Sequence, residues 1–197
     1  MLRRLLLLTV TLSLAGLLAG CGLFERPKRP AWREAANKAC MARKSVQATA
    51  YVQQANTIDG PGICGLEEPF KVTALNEATV ALNTTSTLNC PMIEAMDEWV
   101  RDVVQPIAKA RFGQPVAQID SMGAYSCRPI DNQRGNRLSE HSFGNAVDIG
   151  GFRLADGRSI TIVHGWTRGN EQEKAFLREI QAGACNIFTT VLAPGSD

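Results

Sequence analysis

Six cysteines stand in this chain of 197 residues, and the first, Cys21, closes an apolar leader. Arg3 and Arg4 give the leader a positive start, and Leu5 to Leu18 is apolar except for Thr9, Thr11, Ser13 and Gly16. That run falls short of the about 20 apolar residues a membrane span needs. A charged start, a short apolar middle and small residues at the end mark a cleavable secretory signal. An exported chain folds where disulfides persist, so the later cysteines Cys40, Cys64, Cys90, Cys127 and Cys185 are expected to form two bridges. With any one set aside, the other four pair in three ways, and sequence selects none of them. The odd thiol is either free or paired outside this chain.

Leu18-Ala19-Gly20-Cys21 resembles the lipobox of bacterial lipoproteins. The resemblance implies acylation of Cys21, cleavage before it, and a chain held at a membrane on the periplasmic side of the cell envelope. Each acyl CH₂ buried in lipid contributes about 0.8 kcal/mol to that anchoring. Gly22, where an Asp would direct retention, favours the outer membrane in a Gram-negative cell. The expected organisation is a signal over residues 1–20, a lipidated tether over 21–30 and one domain over 31–197. Glu25 to Pro30, with two prolines and several charges, suits a tether.

Arg3 and Arg4 belong to the 21 basic residues, so cleavage leaves as many basic residues as the 19 acidic ones. A balanced chain carries no electrostatic argument for nucleic acid. Helical spacing predicts helices over Trp32–Lys44, Pro91–Arg111 (with a kink or restart at Pro106) and Glu171–Gln181. Strands are expected at Gln47–Val52, Phe70–Leu75, Ala78–Leu82, Pro115–Ile119, Ala146–Phe152, Ser159–Val163 and Ile187–Leu192. Without strict βαβ alternation the class is α+β, with helices packed on a small, mostly antiparallel sheet.

Ser139-Glu140-His141-Ser142-Phe143-Gly144-Asn145-Ala146-Val147-Asp148 is the stretch richest in chemistry. An imidazole at His141 and a carboxylate at Asp148 both suit zinc. Gly144 permits a turn that a residue with a Cβ would resist. Ala146, Asp148 and Gly150 would share one strand face, with Val147 and Ile149 turned to the core. On its own, a histidine and an aspartate at this spacing is more often a surface pair than a metal site.

The spacing Ser-x-His-x-x-Gly-x-Ala-x-Asp resembles the zinc motif of D-Ala-D-Ala carboxypeptidases and their hedgehog-like relatives. Wider similarity to the bacterial extensin-like C-terminal domain proteins runs through Gly62–Gly65, Leu88–Pro91, Trp99–Pro106, Tyr125–Arg128, Arg137–Phe152 and Phe188–Asp197. The resemblance implies a hedgehog/DD-peptidase-like fold and zinc-dependent cleavage of peptidoglycan peptides, as a D,D- or L,D-carboxypeptidase or endopeptidase. His141 and Asp148 would be metal ligands, Ser139 would orient the turn presenting His141, and Arg128 would stabilise the oxyanion. For Arg128, and more so Arg137, a surface ion pair is the competing reading.

The family's third ligand comes from a later His-x-Asp-His-Phe-His-like segment, which this sequence does not carry. The expectation is a chain truncated at its C-terminus relative to complete relatives, with an incomplete site. His164 is the one substitute histidine, although a turn or surface role suits it better. A non-catalytic envelope lipoprotein that binds peptidoglycan or a protein partner is the alternative function. A cysteine peptidase built on Cys64 or Cys127 is disfavoured, since exported cysteines are oxidised.

Overall fold

The computed structural model describes residues 28–196; the signal, Cys21 and most of the tether lie outside the described residues. Helix α1 (Ala31–Arg43) opens the domain and ends on Lys44 in the left-handed conformation. Strands β1 (Val52–Gln54), β2 (Ile58–Asp59), β3 (Gly65–Leu66), β4 (Phe70–Leu75) and β5 (Val80–Leu88) follow. Helix α2 (Cys90–Trp99) then passes through a π-helical turn (Val100–Val104) into α3 (Gln105–Phe112). Strands β6 (Val116–Gly123), β7 (Asp148–Leu154) and β8 (Ser159–Thr161) lead to α4 (Ile162–Gly165) and α5 (Glu171–Ala184). Six strands form one sheet in the order β1-β4-β5-β6-β7-β8, and β2 pairs with β3 apart from it. The β5–β6 join is parallel and the others are antiparallel. The class is therefore α+β with a mixed sheet.

Helices α2 and α5 start on side-chain caps. Asn89 caps α2 by accepting from the Met92 amide at 2.8 Å, with proline in the first turn. Asn170 and Glu173 form a reciprocal capping box on α5. The expected restart at Pro106 takes the form of the π turn. Proline has no N–H to give to the preceding turn, and the Gln105 amide reaches back to the Val100 carbonyl.

The core lies between the helices and the sheet. Phe152 of β7 meets Phe176 of α5 edge-on at 5.4 Å and Trp99 of α2 at 6.1 Å between ring centroids. The Trp99 indole N–H donates to the Ile180 carbonyl at 3.0 Å, so its one polar atom is satisfied. Two disulfides, Cys40–Cys90 and Cys64–Cys127, settle the pairing, and Cys185 is an exposed free thiol among the described residues.

Several expected strands differ from the structure, and those from Pro115 and Ala146 start at Val116 and Asp148 and run on to Gly123 and Leu154. Ile187–Leu192 forms no strand; Ile187, Phe188 and Val191 instead lie irregularly against the core, with the Phe188 ring 6.2 Å from Trp99. Gln47–Val52 is extended only from Val52, because Thr49 Oγ accepts from the Tyr51 and Val52 amides and makes a turn. The strand from Ala78 begins at Val80 and runs on to Leu88. Ser159–Val163 gives way to α4 at Ile162.

Candidate metal centre

The candidate residues converge where β6 ends and β7 begins. Asp148 is the first residue of β7 and pairs with Gly123. Two bulges flank it: Gly150 is extra in β7 between the Asp120–Gly151 and Ser121–Ile149 pairs, and Met122 is extra in β6. In an unbroken strand Asp148 would share a face with Phe152, which is buried. The Gly150 bulge switches the alternation, so Ile149 packs on the core while the Asp148 side chain stays 54% exposed. Glycine suits both neighbours: a Cβ at Gly150 would lie 2.9 Å from Met122, and one at Gly151 would lie 2.7 Å from the Ile160 carbonyl.

His141 sits in a 3₁₀ turn, Glu140–Phe143. Ser139 caps the turn by accepting from the His141 amide at 3.4 Å. Gly144 ends the turn at φ +58°, and a Cβ there would run into the Leu66 side chain. Ser142, fully buried, ties the turn to the preceding segment: its hydroxyl accepts from the Arg128 amide at 3.1 Å and faces the Ser126 and Arg128 carbonyls. The Ser126 amide donates to the His141 carbonyl, and the Ser139 amide to that of Arg128. Asn89, the α2 cap, donates to Asn145 Oδ1 at 3.2 Å and through its backbone to the Gly144 carbonyl. Asn37 of α1 braces that corner by accepting from the Cys90 amide at 3.0 Å.

The His141 ring is 7% exposed as part of its residue, and Nδ1 lies 2.5 Å from the Ala124 carbonyl. A carbonyl only accepts, so Nδ1 carries a proton and Nε2 is the ring nitrogen turned toward Asp148. Nε2 is 3.2 Å from Asp148 Oδ1. At that distance a proton on Nε2 would make an ion pair, and a bare Nε2 would form with Oδ1 a pair of donors turned toward a shared cation. With zinc–ligand bonds of about 2.0–2.1 Å, two donors on one edge of a tetrahedron stand roughly 3.3 Å apart. This donor pair fits a metal ion in both chemistry and separation.

The Arg128 guanidinium, 28% exposed, lies 3.7 Å from Asp148 Oδ2, and the Cys64–Cys127 bridge anchors the residue just before it. Arg128 is thus both an ion-pair partner and a cation at the edge of the site. Arg137 is exposed, with its carbonyl taken by the Ile130 amide. His164 is exposed in α4. Among the described residues no group of three or more His, Cys, Asp or Glu side chains gathers, so His164 does not complete a ligand set.

Sequence reasoning missed Ala124, Ser142, Asn89 and the pair Arg33–Glu140. Arg33 donates from Nη1 and Nη2 to the two Glu140 oxygens, each at 2.6 Å. These bonds, with one from Asn145, hold the Glu140 carboxyl below its ordinary pKa against the opposing effect of burial. Of these residues, only Asn89 had a local signal, the Asn-Cys-Pro helix start. A cavity of about 40 Å³ opens behind the turn, lined by Arg33, Asn37, Leu66, Asn89 and Phe143 among others. It is far smaller than a ligand pocket of about 300 Å³ or more. No helix of the described residues is long and apolar enough to cross a membrane.

Comparison with curated proteins found no match, and comparison with solved structures found none either. Residues 38–197, which hold His141, Asp148, Arg128 and both disulfides, match the family model described as Extensin-like protein C-terminus. With most of its length matched, the chain belongs to the extensin-like protein C-terminus family.

Proposed function

We propose that this protein is a zinc-dependent peptidase of the cell envelope that cleaves peptidoglycan peptides, on a fold related to the D-Ala-D-Ala carboxypeptidases. The observation that carries the reading is the 3.2 Å approach of His141 Nε2 to Asp148 Oδ1, with Nδ1 pinned on the Ala124 carbonyl. His141 and Asp148 hold the metal, and Ser139 and Ala124 fix the imidazole's direction. Bound zinc supplies Lewis acidity and brings the pKa of water toward about 7. The Arg128 guanidinium donates hydrogen bonds to the oxygen on which charge develops as an amide carbonyl is attacked. Export and a lipid on Cys21 would hold the domain beside its polymeric substrate.

A second reading is a non-catalytic envelope lipoprotein that binds peptidoglycan or a protein partner through the same face. It is favoured by the ligand count, since among the described residues only two donors meet. Incubation of purified peptidoglycan with the protein and zinc separates the readings. Released stem-peptide fragments, lost with His141→Ala, support the peptidase. Co-sedimentation with peptidoglycan and no released fragments supports the binding protein.

A further inference from the structure

We infer that Arg33 is a positioning residue for His141, acting through Glu140 and Phe143; the inference rests on the reading of His141 as a metal ligand. Glu140 and Phe143 bracket His141 in the same 3₁₀ turn, and the Arg33 guanidinium holds both. Its two hydrogen bonds to the Glu140 carboxylate are each 2.6 Å long. Its Cζ lies 4.0 Å from the centroid of the Phe143 ring and 4.3 Å from that of Trp32. Planar, two-pronged pairing is a geometry that arginine makes and lysine does not. Asn145 closes the arrangement, donating to Glu140 Oε2 at 2.9 Å and from its backbone to the Glu140 carbonyl at 3.1 Å.

The clamp is anchored as well as tight. Arg33 lies in the first turns of α1, and α1 is bolted to α2 by the Cys40–Cys90 bridge. One helical turn on, Asn37 donates to the Glu67 carbonyl and accepts from the Cys90 amide. The Arg33 side chain is 16% exposed and that of Glu140 46%, so the pair is shielded from solvent on its arginine side. A rigid grip on both sides of His141 fixes where Nε2 points, and a metal edge tolerates little error in that direction. Arg33 also precedes the family match, which starts at residue 38. The segment next to the tether is therefore part of the site's build.

The chain has two histidines, so ring signals from ¹⁵N-histidine protein report His141 against exposed His164 as internal reference. We compare the protein with Arg33→Ala, Arg33→Lys and a control, Arg43→Ala, whose guanidinium pairs with Glu94 away from the turn. In metal-free protein, Arg33→Ala should shift the His141 ring signals and speed exchange of its Nδ1 proton at least tenfold. Arg33→Lys should not restore either, and His164 and the Arg43→Ala protein should be unchanged. Zinc affinity, read by chelator competition, should fall about tenfold with Arg33→Ala. His141 signals in Arg33→Ala identical to those in Arg43→Ala would overturn the inference. Should Arg33→Ala fail to fold, Glu140→Gln keeps the size and loses the charged pairing, and the same readouts decide. Absence of zinc binding by the unmodified protein would sink the metal reading alone, because the metal-free spectra still report on the clamp.

Discussion

The two disulfides close loops of similar length, 50 and 63 residues apart, in opposite surroundings. Cys40 and Cys90 are wholly buried, join α1 to the first turn of α2, and stand behind the candidate site. Cys64 is buried but Cys127 is exposed, and this bridge stands at the front, one residue before Arg128. By chain entropy alone each stabilises the fold by about 4 kcal/mol, so the formula does not distinguish them. The native surroundings do. The rear bridge is embedded in packing and in the anchorage of Arg33 and Asn89, while the front bridge constrains an irregular segment held by the Ser142 hydrogen bonds. Stability should be concentrated behind the site, and adaptability in front of it.

Removing the rear bridge should have the largest effect. Cys40→Ala with Cys90→Ala loses about 4 kcal/mol of loop constraint and further buried packing, lowering Tm by about 10 °C or more. Removing the front bridge with Cys64→Ser and Cys127→Ser should cost less in Tm, while weakening any activity that needs Arg128. A larger Tm loss at the front would reverse the comparison. Graded reduction followed by alkylation and mass mapping sharpens the same point. The Cys64–Cys127 pair should open first, since attack on a disulfide requires access to a sulfur.

Gly144→Ala tests the corner where the rear meets the turn. Placing a Cβ residue at φ +58° costs about 1–2 kcal/mol, and contact with Leu66 and Asn89 adds to it, readable by urea unfolding. The smallest effect is expected at Asp97, on α2 and away from both bridges. Burial raises the pKa of its carboxyl above the ordinary value, opposed in part by the hydrogen bond from the Asn76 amide. The folded state therefore holds this proton more tightly than the unfolded chain does. Relative to Asp97→Asn, the protein should lose stability as pH rises from the ordinary carboxylate value through the raised one. Parallel pH profiles of the two proteins would refute this.

Local signals in the sequence account for much of the fold. Helices α2 and α5 were legible through the helical spacing of their apolar residues, while the cap at Asn89 and the capping box at Asn170 came with the structure. Periodicity misjudged Ile187–Leu192 because an apolar run records burial and not backbone form; Phe188 buries its ring against Trp99 without pairing to any strand. Thr49 shortened another strand through a side-chain turn that competes with the ladder. At the site, the nearness of His141, Asp148 and Ser139 was legible because they share one short turn-and-strand segment. Arg33 was not, as 107 residues separate it from Glu140.

By itself the sequence determined the α+β class, the placing of its main helices, the need for glycine at 144 and the family to which residues 38–197 belong. The class, the helices and the glycine rest on periodicity and turn chemistry, which act over a few residues. Tertiary structure alone decided which cysteines pair, how the Gly150 bulge turns Asp148 away from the core, and how Ala124, Arg128 and Arg33 surround His141. Each of those depends on strand register and on contacts between segments far apart in the chain, where the position of one partner carries no information until the sheet and helices have brought the other to it.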